Sequence, residues 1–490
     1  MVLTTVDDEI LDDYYTKTSH LAKPCNNNTK THWWGFTPYD LEETIYWGIK
    51  HLTLPGIAVL MIAIILILRL FENPIMDSMV YILGSVAGFS ILSVIRECIR
   101  ARKYKIPIGE IKVRYDDRTQ DEDRLFKIPL NTITEPKFKI GFVGDIMKMN
   151  DFKLKFEQKV IDFFQGVNII IGNLEGIVSL KKGHVPKQRH EDPPILTQLK
   201  TLLTKDTKWL LCLSNNHSID FSNADFHTSL NQIQADPRFD VFGRNDVPNI
   251  LVRDIPINIS TATEWSNQKN WDCISNYNHN GVNSYHCPKK FNILFPHWGF
   301  ENEKYVRTRV RKDAEALLTG VPQKYSKFQI KVRKWFKKKI YPCPDKNWDL
   351  IFGHHSHVRQ PIMKVKENVT NKDKEKRDLW KLVAFSGGNF TSGANIIRNK
   401  KHNRGIIMKC EIGPLKGHKD KFAAANIEWR NTINNKGKEK EIVNGKEKMV
   451  PTKTVSIDRK KYRTYNLSAL IIGIIIIVIT VFFSVVDLLI

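Results

Sequence analysis

Residues 138–147 read FKIGFVGDIM, an apolar run that ends in a glycine, an aspartate and two further apolar residues. Four later segments share the design of a short apolar run followed at once by polar residues: Val167–Ile171 before GNLE, Trp209–Leu213 before SNNH, Phe291–Phe295 before PHWG, and Trp348–Phe352 before GHHSH. Short apolar runs bounded by turn residues are typical of buried β-strands. We therefore predict a strand at each position, with a polar turn at its carboxyl end.

The segments between these strands indicate the fold class. Two further apolar runs, Phe239–Phe242 and Lys381–Phe385, also predict strands, whereas Lys153–Gln165 and Ile195–Leu203 carry apolar residues at helical spacing. Alternating strands and helices predict an α/β fold. Because the strands are apolar almost throughout, we expect their sheet to be largely buried.

The polar turns carry residue types that bind metal ions. The carboxyl ends of strands in an open α/β sheet form a ligand-binding edge, so the five turns can converge on one pocket. Their carboxylates, amide and imidazoles suit Mn, Fe, Zn or Mg better than copper. GHHSH is the strongest single signal, because a His-x-His spacing places two imidazoles within reach of one site. A bridging carboxylate can hold two ions roughly 3.5–4 Å apart.

The order of the turns resembles that of the calcineurin-like metallophosphoesterase superfamily and, within it, the CapA-type proteins of poly-γ-glutamate capsule synthesis. The motifs that carry the resemblance are GDIM at 144–147, GNLE at 172–175, NNH at 215–217 with Asp220, HWG at 297–299 with Glu301, GHHSHV at 353–358 and GNF at 388–390. They lie within roughly residues 138–410. The resemblance implies a metallophosphoesterase-like sandwich of largely buried sheets flanked by helices. It also implies a centre of one or two divalent ions, expected to be Mn, Fe or Zn.

The resemblance further implies which residues bind these ions. The first metal would be bound by Asp145 and His357, with Glu175 as the carboxylate that bridges both metals. The second metal would be bound by Asn216, His297 and His355. The sequence leaves open which of His354 and His355 is the ligand, and the His-x-His spacing favours His355.

Other polar residues of the motifs receive supporting or catalytic roles from the same resemblance. His217 follows the ligating amide and would be the catalytic residue that contacts the phosphate and protonates the leaving group. The residues expected to contact substrate or to support the ligands are Asn173, Asn215, Glu301, His354 and Asn389.

One position departs from the superfamily pattern. The histidine that stands two residues after the first aspartate is Met147 here, and a thioether is a poor ligand for a hard ion. Three functions therefore stay open: handling an anionic surface polymer such as poly-γ-glutamate during its synthesis, attachment or export; hydrolysis of a lipid-linked or nucleotide phosphoester; and a non-catalytic membrane scaffold. Two bound metals would favour hydrolysis, and the absence of metal would favour the scaffold.

Three apolar runs without charged residues predict membrane-spanning helices: Leu52–Leu68, Ser78–Ile95 and Thr464–Val486. A span needs about 20 apolar residues, with roughly 17 as the lower limit. We interpret the first two runs as a transmembrane helical hairpin and the third as a single span. Buried core helices are the alternative for the hairpin, but the basic cluster that follows it favours a membrane.

Charge bears on topology and on partners. The chain has 75 Lys and Arg against 52 Asp and Glu, a formal net charge of +23, which favours anionic partners. The basic clusters beside the spans place the large domain in the cytoplasm, whereas CapA-type proteins are generally taken to face outward. We expect a multi-pass protein of the cell membrane whose partners are membrane lipids, capsule-synthesis membrane subunits, and an anionic polymer or phosphoester. Nucleic acid is not an expected partner, because no DNA or RNA module motif appears.

Composition shifts predict the domain organisation. The predicted segments are a polar N-terminal segment, 1–50; the transmembrane hairpin, 51–99; a linker, 100–137; the CapA-like domain with basic insertions, 138–430; a charged linker, 431–463; and the final span, 464–487. Two charge-alternating stretches, Lys364–Arg377 and Lys436–Lys448, are interpreted as solvated loops. The basic stretch Gln323–Lys339 also carries aromatic residues and is a candidate for contact with lipid headgroups.

Overall fold

A computed structural model of the chain describes residues 3–5, 125–180, 190–191, 193–265, 267, 273–275, 282, 284–301, 306, 308–320, 347–370, 376–393, 400–418, 420–443 and 446–458. These residues belong to one compact unit. Within them, no helix is long and apolar enough to cross a membrane. The spans predicted within 51–99 and 464–487 lie outside the described residues, as do the basic stretch 323–339 and all but residues 3–5 of the N-terminal segment.

Strands dominate the described part of the chain, with short helices between them. The strands are β1 (Leu3–Thr5), β2 (Phe126–Pro129), β3 (Phe138–Ile146), β4 (Lys153–Phe156), β5 (Ile169–Leu174), β6 (Ile177–Val178), β7 (His190–Glu191), β8 (Lys208–Cys212), β9 (Phe239–Phe242), β10 (Asn249–Val252), β11 (Ile257–Ser260), β12 (Phe291–Leu294), β13 (Leu350–Phe352), β14 (Ile362–Thr370), β15 (Lys376–Ala384), β16 (Asn389–Thr391), β17 (Arg404–Pro414), β18 (Phe422–Val443) and β19 (Lys446–Ile457). The helices are α1 (Gln158–Phe163), α2 (Pro194–Lys200), α3 (Asn223–Gln234) and α4 (Thr308–Thr319), and Lys400–Asn403 forms a 3-10 helix. Each strand predicted from the sequence coincides with or overlaps an observed strand.

Within the described residues the strands form two large sheets and one small one. The seven-stranded sheet has the order β1-β10-β11-β12-β13-β15-β14. The ten-stranded sheet follows β4-β19-β18-β17-β3-β5-β8-β9, with β2 paired to β18 and β16 paired to β3, while β6 and β7 pair with each other. Each large sheet contains a parallel block, β11-β12-β13-β15 in the first and β3-β5-β8-β9 in the second.

The two large sheets bury one apolar core between them. Phe142 of β3 and Phe352 of β13 come from opposite sheets and stack with ring centroids 5.2 Å apart in this core. A second cluster buries α1, α2 and α3 against the outer face of the ten-stranded sheet, and a third buries α4 against the outer face of the seven-stranded sheet. The described chain is thus a mixed α/β sandwich of buried sheets flanked by helices, as predicted.

The helix predicted over Lys153–Gln165 is wrong at its start. Lys153–Phe156 forms β4, which pairs in parallel with β19, and the helix α1 covers only Gln158–Phe163. Leu154 is buried between two lysines that lie further out, a period-two pattern too short to be told from a helical turn in the sequence. Pairing with a strand some 300 residues later in the chain decides the conformation.

Both stretches interpreted as solvated loops are largely strand. The first belongs to the β14–β15 pair, apart from 371–375, which lie outside the described residues, and the second belongs to the β18–β19 pair. Within the linker predicted over 431–463, strands β18 and β19 continue the ten-stranded sheet as far as Ile457. Within the linker predicted over 100–137, strand β2 pairs with β18. Charges that alternate along a strand can place residues of opposite sign on opposite faces, so such a pattern fits a partly solvated hairpin as well as a loop.

Candidate metal centre

The predicted ligands lie where strands of the two large sheets end. Asp145 is the penultimate residue of β3 and is paired in register with Asn173 of β5 and Asn389 of β16. His297 continues the register of the other sheet through isolated bridges to Thr263 and His354. The loops that supply the remaining ligands follow β5, β8 and β13 and carry Glu175, Asn216, His355 and His357.

Two glycines permit the close backbone packing that brings these loops together. A Cβ atom on Gly144 would lie 1.9 Å from the carbonyl oxygen of Gly388, and one on Gly353 would lie 2.1 Å from Nε1 of Trp298. No side chain fits at either position. The loop after Gly353 is also unusual, because His355 and His357 adopt φ values of 94° and 55°. Residues with a Cβ atom rarely adopt such angles, and strain of this kind concentrates at functional sites.

Asp145 is the centre of the site and is fully buried. Its Oδ1 accepts a hydrogen bond from Nδ2 of Asn173 at 2.9 Å, and the backbone N–H of His355 lies 3.3 Å from each carboxylate oxygen. Nδ1 of His357 lies 3.1 Å from Oδ2, and Nδ1 of His354 lies 3.5 Å from Oδ1. A single carboxylate thus faces histidines from one loop and an amide from a neighbouring strand.

Asp145 belongs to two groups of potential ligand atoms, and within each group these atoms lie within 4.8 Å of one another. The first group is Asp145, Glu175 and His357, in which Nε2 of His357 lies 3.3 Å from Oε1 of Glu175. This group matches the set predicted for the first metal. The second group is Asp145, His297 and His354.

His297 connects the second group to the predicted amide ligand. Its Nε2 lies 3.0 Å from Oδ1 of Asn216, and its Nδ1 lies 2.8 Å from Nδ1 of His354. The ring of His355 also packs against His297, with centroids 4.3 Å apart. The geometry therefore brings both His354 and His355 to the ligand cluster, and the assignment of His355 as the ligand stays a prediction.

The two neighbouring histidines differ in their surroundings. Nε2 of His354 lies 3.3 Å from the carbonyl oxygen of Phe295, so both its nitrogens face protein groups. Nδ1 of His355 is buried and has no hydrogen-bond partner among the described residues. Its ring stacks on Trp265 at 5.8 Å. A buried nitrogen without a partner is costly, and a metal ion would satisfy it.

His217, predicted to be catalytic, lies beside the first group. Its Nε2 is 3.8 Å from Oε1 of Glu175, and its Nδ1 is 2.5 Å from Oδ2 of Asp220. An ionised carboxylate only accepts hydrogen bonds, so Nδ1 of His217 donates and Nε2 is directed at the cluster. Asn267 completes this arrangement, since its Nδ2 lies 3.1 Å from Oδ1 of Asp220 and its Oδ1 lies 3.4 Å from Nδ2 of Asn216. Asn267 follows no predicted strand and belongs to no motif, so the sequence did not indicate it.

Several predicted supporting residues contact the ligands directly or through one another. Nδ2 of Asn215 donates to Oδ1 of Asn173 at 3.0 Å, and Oδ1 of Asn389 lies 3.1 Å from Nδ1 of His357. Glu301 is half-buried and interacts electrostatically with His355. The backbone N–H of Met147 donates to Oγ1 of Thr391 at 2.9 Å, which fixes the chain just after Asp145.

The surroundings of the buried histidines shift their pKa values in opposite directions. Burial alone would raise the pKa of Asp145, but hydrogen bonds from His354 and His357 outweigh it and hold that pKa well below its usual value. Burial opposes protonation of His354, yet the hydrogen bonds to Asp145 and Cys212 raise its pKa to about 9. Burial lowers the pKa of His355 to about 4, and burial together with the neighbouring histidines lowers the pKa of His297.

The donor set and its protonation fit a divalent metal ion. An imidazole ligand must be neutral and a carboxylate ligand ionised, which is the state favoured for His297, His355 and Asp145. The oxygen and nitrogen donors suit Mn, Fe or Zn. The residues that could hold an ion are thus those of the two groups together with Asn216 and His355.

Comparisons with known proteins identify the family of this chain. Over residues 139–394, more than half of its length, the chain matches the family described as bacterial capsule synthesis protein PGA_cap. Among curated proteins no match is found. Among solved structures the chain is similar to a putative 5′-nucleotidase from Staphylococcus aureus, in complex with α-ketoglutarate, at 10% sequence identity and a TM-score of 0.28. That match covers 69% of this chain and 58% of that chain, so it spans less than two thirds of the 5′-nucleotidase. The match over 139–394 confirms the resemblance drawn from the motifs: the chain belongs to the bacterial capsule synthesis family PGA_cap.

Proposed function

We propose that this protein is anchored in the membrane, binds one or two divalent ions and handles an anionic surface polymer, such as poly-γ-glutamate, during its synthesis, attachment or export. The observation that carries the proposal is the buried group of carboxylates, amide and imidazoles around Asp145. Membership of the capsule synthesis family supports the polymer as the substrate class. The net charge of +23 supports an anionic partner.

The proposed metal site uses residues from both sheets. Asp145, Glu175 and His357 would hold one ion, and Asn216, His297 and His355 would hold the other beside Glu175. A divalent ion bound here supplies Lewis-acid polarisation of a carbonyl or phosphoryl oxygen. Since Met147 offers only a thioether, the first set has three protein ligands, and we expect it to bind its ion more weakly than the second.

The chain itself would position the substrate and move a proton. Asp220 fixes the ring of His217 so that Nε2 is directed at the cluster, 3.8 Å from Glu175. A proton held at Nε2 would be delivered to the leaving oxygen or nitrogen. Asn267 holds Asp220 and Asn216 together, so the proton donor and the ligand set keep a fixed relation.

This proton donor favours a second candidate function, the hydrolysis of a phosphoester on a lipid-linked or nucleotide substrate. A scaffold that binds no ion would have little use for a histidine oriented by a buried carboxylate. Polymer handling without bond cleavage would equally not need it. The two candidates therefore differ in whether the site turns over a phosphoester.

Membrane anchoring is the remaining part of the proposal. The apolar runs Leu52–Leu68, Ser78–Ile95 and Thr464–Val486, with basic residues beside them, support a hairpin and a final span. Anchoring would keep the metal centre beside the site at which a surface polymer is made or exported.

The test is an activity assay on the detergent-purified full chain, supplied with Mn, Fe or Zn, beside Asp145→Ala and His357→Ala. Poly-γ-glutamate and a phosphodiester are offered as separate substrates. Cleavage or transfer of the polymer that both variants lose supports the first proposal, whereas turnover of the phosphodiester alone supports the second. Equal activity in the variants and the unmodified chain would overturn both.

A further inference from the structure

The hairpin of β18 and β19 continues beyond its neighbours as a two-stranded ribbon. β17 pairs with β18 only up to Ile433, and β4 pairs with β19 only from Thr452 onward. β18 and β19 nevertheless stay paired as far as Val443 and Lys446. Among the described strands, residues 438–443 and 446–451 therefore pair only with each other.

Charges on this ribbon are sorted by face. Alternate residues of a strand point to the same face. On one face, Glu439 and Glu441 form ion pairs with Lys153 and Lys155 of β4. The acids of that face are thus neutralised by lysines from a neighbouring strand.

The opposite face is basic, and we call it the lysine face. It carries Lys436, Lys438 and Lys440 at alternate positions of β18, and Lys453 of β19 directly opposite Lys436. The one acidic residue of the ribbon on this face is Glu447, which pairs with Lys440 at 3.0 Å. Four lysines against one glutamate leave this face strongly positive, in a row along the strand.

The inner end of the lysine face lies next to the metal centre. Lys453 is fully buried, its Nζ lies 3.4 Å from Oδ1 of Asn403, and Lys453 and Lys436 both lie over the ring of Phe152, at 5.2 and 5.5 Å from its centroid. Like charges directly opposite each other destabilise a strand pair, so this placement has a cost that a function would explain.

A short chain of contacts leads from this end to a predicted ligand. The residue before Asn403, His402, accepts a hydrogen bond from Nδ2 of Asn389 at its carbonyl oxygen, at 2.9 Å. The ring of His402 lies 6.2 Å from that of His357. The lysine face therefore starts at the 3-10 helix that contacts the metal centre and runs away from it along the ribbon.

We propose that the lysine face binds an extended polyanion and guides it to or from the metal centre, an inference that rests on the proposed function. Successive lysines of β18 are spaced by roughly 6.6–6.8 Å, two residues of a strand, so a chain with regularly repeated carboxylates can contact several of them at once. Ile442 and Met449, which are 79% and 51% exposed, lie on the same face and would cover the methylene groups of such a chain.

A polymer fits this face better than a membrane surface does. The positive charges form a single row along one strand, which matches the shape of a linear polyanion. A bilayer would gain from positive charge on both faces of the ribbon, whereas Glu439 and Glu441 lie on the other face and pair with Lys153 and Lys155 of β4. The row ends at Lys453, which contacts Asn403, and the neighbouring His402 lies beside His357.

The test compares Lys436→Gln/Lys438→Gln with the control Lys205→Gln/Lys416→Gln, which removes the same charge at exposed positions away from the ribbon. Binding of fluorescently labelled poly-γ-glutamate to the full chain in detergent is measured, with monomeric glutamate as competitor. We expect the first variant to bind roughly tenfold more weakly, since each exposed lysine near an anionic surface contributes about a factor of several. The control should bind as the unmodified chain does, and the monomer should not compete.

Other outcomes would overturn the proposal. Equal binding by both double variants would do so, as would competition by the monomer at similar concentration. A first variant that keeps polymer binding but loses binding to vesicles of phosphatidylglycerol and phosphatidylcholine would assign the face to the membrane instead. Metal content, measured on the same samples, distinguishes failure of this proposal from failure of the proposed function. Loss of polymer binding with metal retained concerns the lysine face. An unmodified chain without metal refutes the metal centre alone.

Discussion

Asp145 faces histidines from one loop and contributes to both groups of ligand atoms, so its neighbours decide which ions are held. His355 is neutral and offers a buried nitrogen without a hydrogen-bond partner among the described residues, whereas both nitrogens of His354 face protein groups. We therefore expect His355 to be a ligand and His354 to hold Asp145 and His297 in place.

The assignment predicts different effects for two adjacent substitutions. His355→Ala should lose one metal ion per chain, whereas His354→Ala should retain the ions and weaken their binding by roughly 10–100-fold, as expected for a residue that supports ligands. Metal content by mass spectrometry and titration of the stripped protein with Zn would measure both. Loss of an ion in His354→Ala with normal content in His355→Ala would reverse the assignment.

Asp220 orients His217 through the hydrogen bond between its Oδ2 and Nδ1 of the ring. Asp220→Asn keeps the shape but provides an amide where the ring of His217 needs an acceptor, so the ring can turn away from Glu175. We expect turnover of the phosphoester to fall by roughly a hundredfold or more with metal content unchanged. The reason is that a positioned proton donor contributes about 10²–10⁴-fold to the rate of the reaction. Asp206→Asn, at an exposed position, is the control. Normal turnover in Asp220→Asn would remove His217 from the mechanism.

At this scale the sequence indicated which candidate ligands lie together better than which residues support them. Asp145, Glu175 and His357 stand in motifs whose order is informative, and the structure brings them together. Asn267 could not be found in this way, because its role depends on a loop that returns to Asn216 and Asp220 from elsewhere in the chain. The sequence likewise could not distinguish the surroundings of His354 from those of His355, because they differ in the contact of His354 with the carbonyl oxygen of Phe295.

At the scale of the elements, the backbone near the end of β3 packs directly against the backbone just before β16, with no space for a side chain between them. A Cβ atom on Gly144 would meet the backbone oxygen of Gly388 at 1.9 Å. Gly144→Ala should therefore push β16 away from β3, which carries Asp145, and destabilise the domain by about 1–3 kcal/mol or more. It should also reduce metal binding.

Gly437→Ala is the matched control for this prediction. Gly437 also lies in a strand, but its Cβ would meet only the side-chain hydroxyl of Thr452, at 2.9 Å, which can rotate away. Thermal unfolding of both variants in detergent measures the difference. Equal stability of the two would show that the contact between β3 and β16 is not tight.

The prediction of strands succeeded where burial alone decides the pattern and failed where pairing decides it. The strands β3, β5, β8 and β12 are buried on both faces and read as apolar runs. In contrast, β18 and β19 carry alternating charges that resemble a solvated loop, and β4 is too short to show its period. Their conformation follows from partners distant in sequence, which a local pattern does not contain.

At the scale of the whole molecule, the proposed anchoring fixes the side of the membrane on which the metal centre works. The basic residues beside the predicted spans predict that the large domain lies in the cytoplasm. A single reporter cysteine at Lys448, in a variant without its seven native cysteines, should then resist a membrane-impermeant thiol reagent in intact cells and react after permeabilisation. Reaction in intact cells would place the domain outside.

The most direct test of the central claim is the metal content of the purified full chain beside Asp145→Asn, with Asp206→Asn as the control. Asp145 is shared by both groups of ligand atoms, and an amide in its place keeps the volume but removes the charge. We predict one or two Mn, Fe or Zn ions per chain in the unmodified protein and in the control, and loss of at least one ion in Asp145→Asn. An unmodified protein without metal, or an Asp145→Asn variant with the same content, would contradict the account.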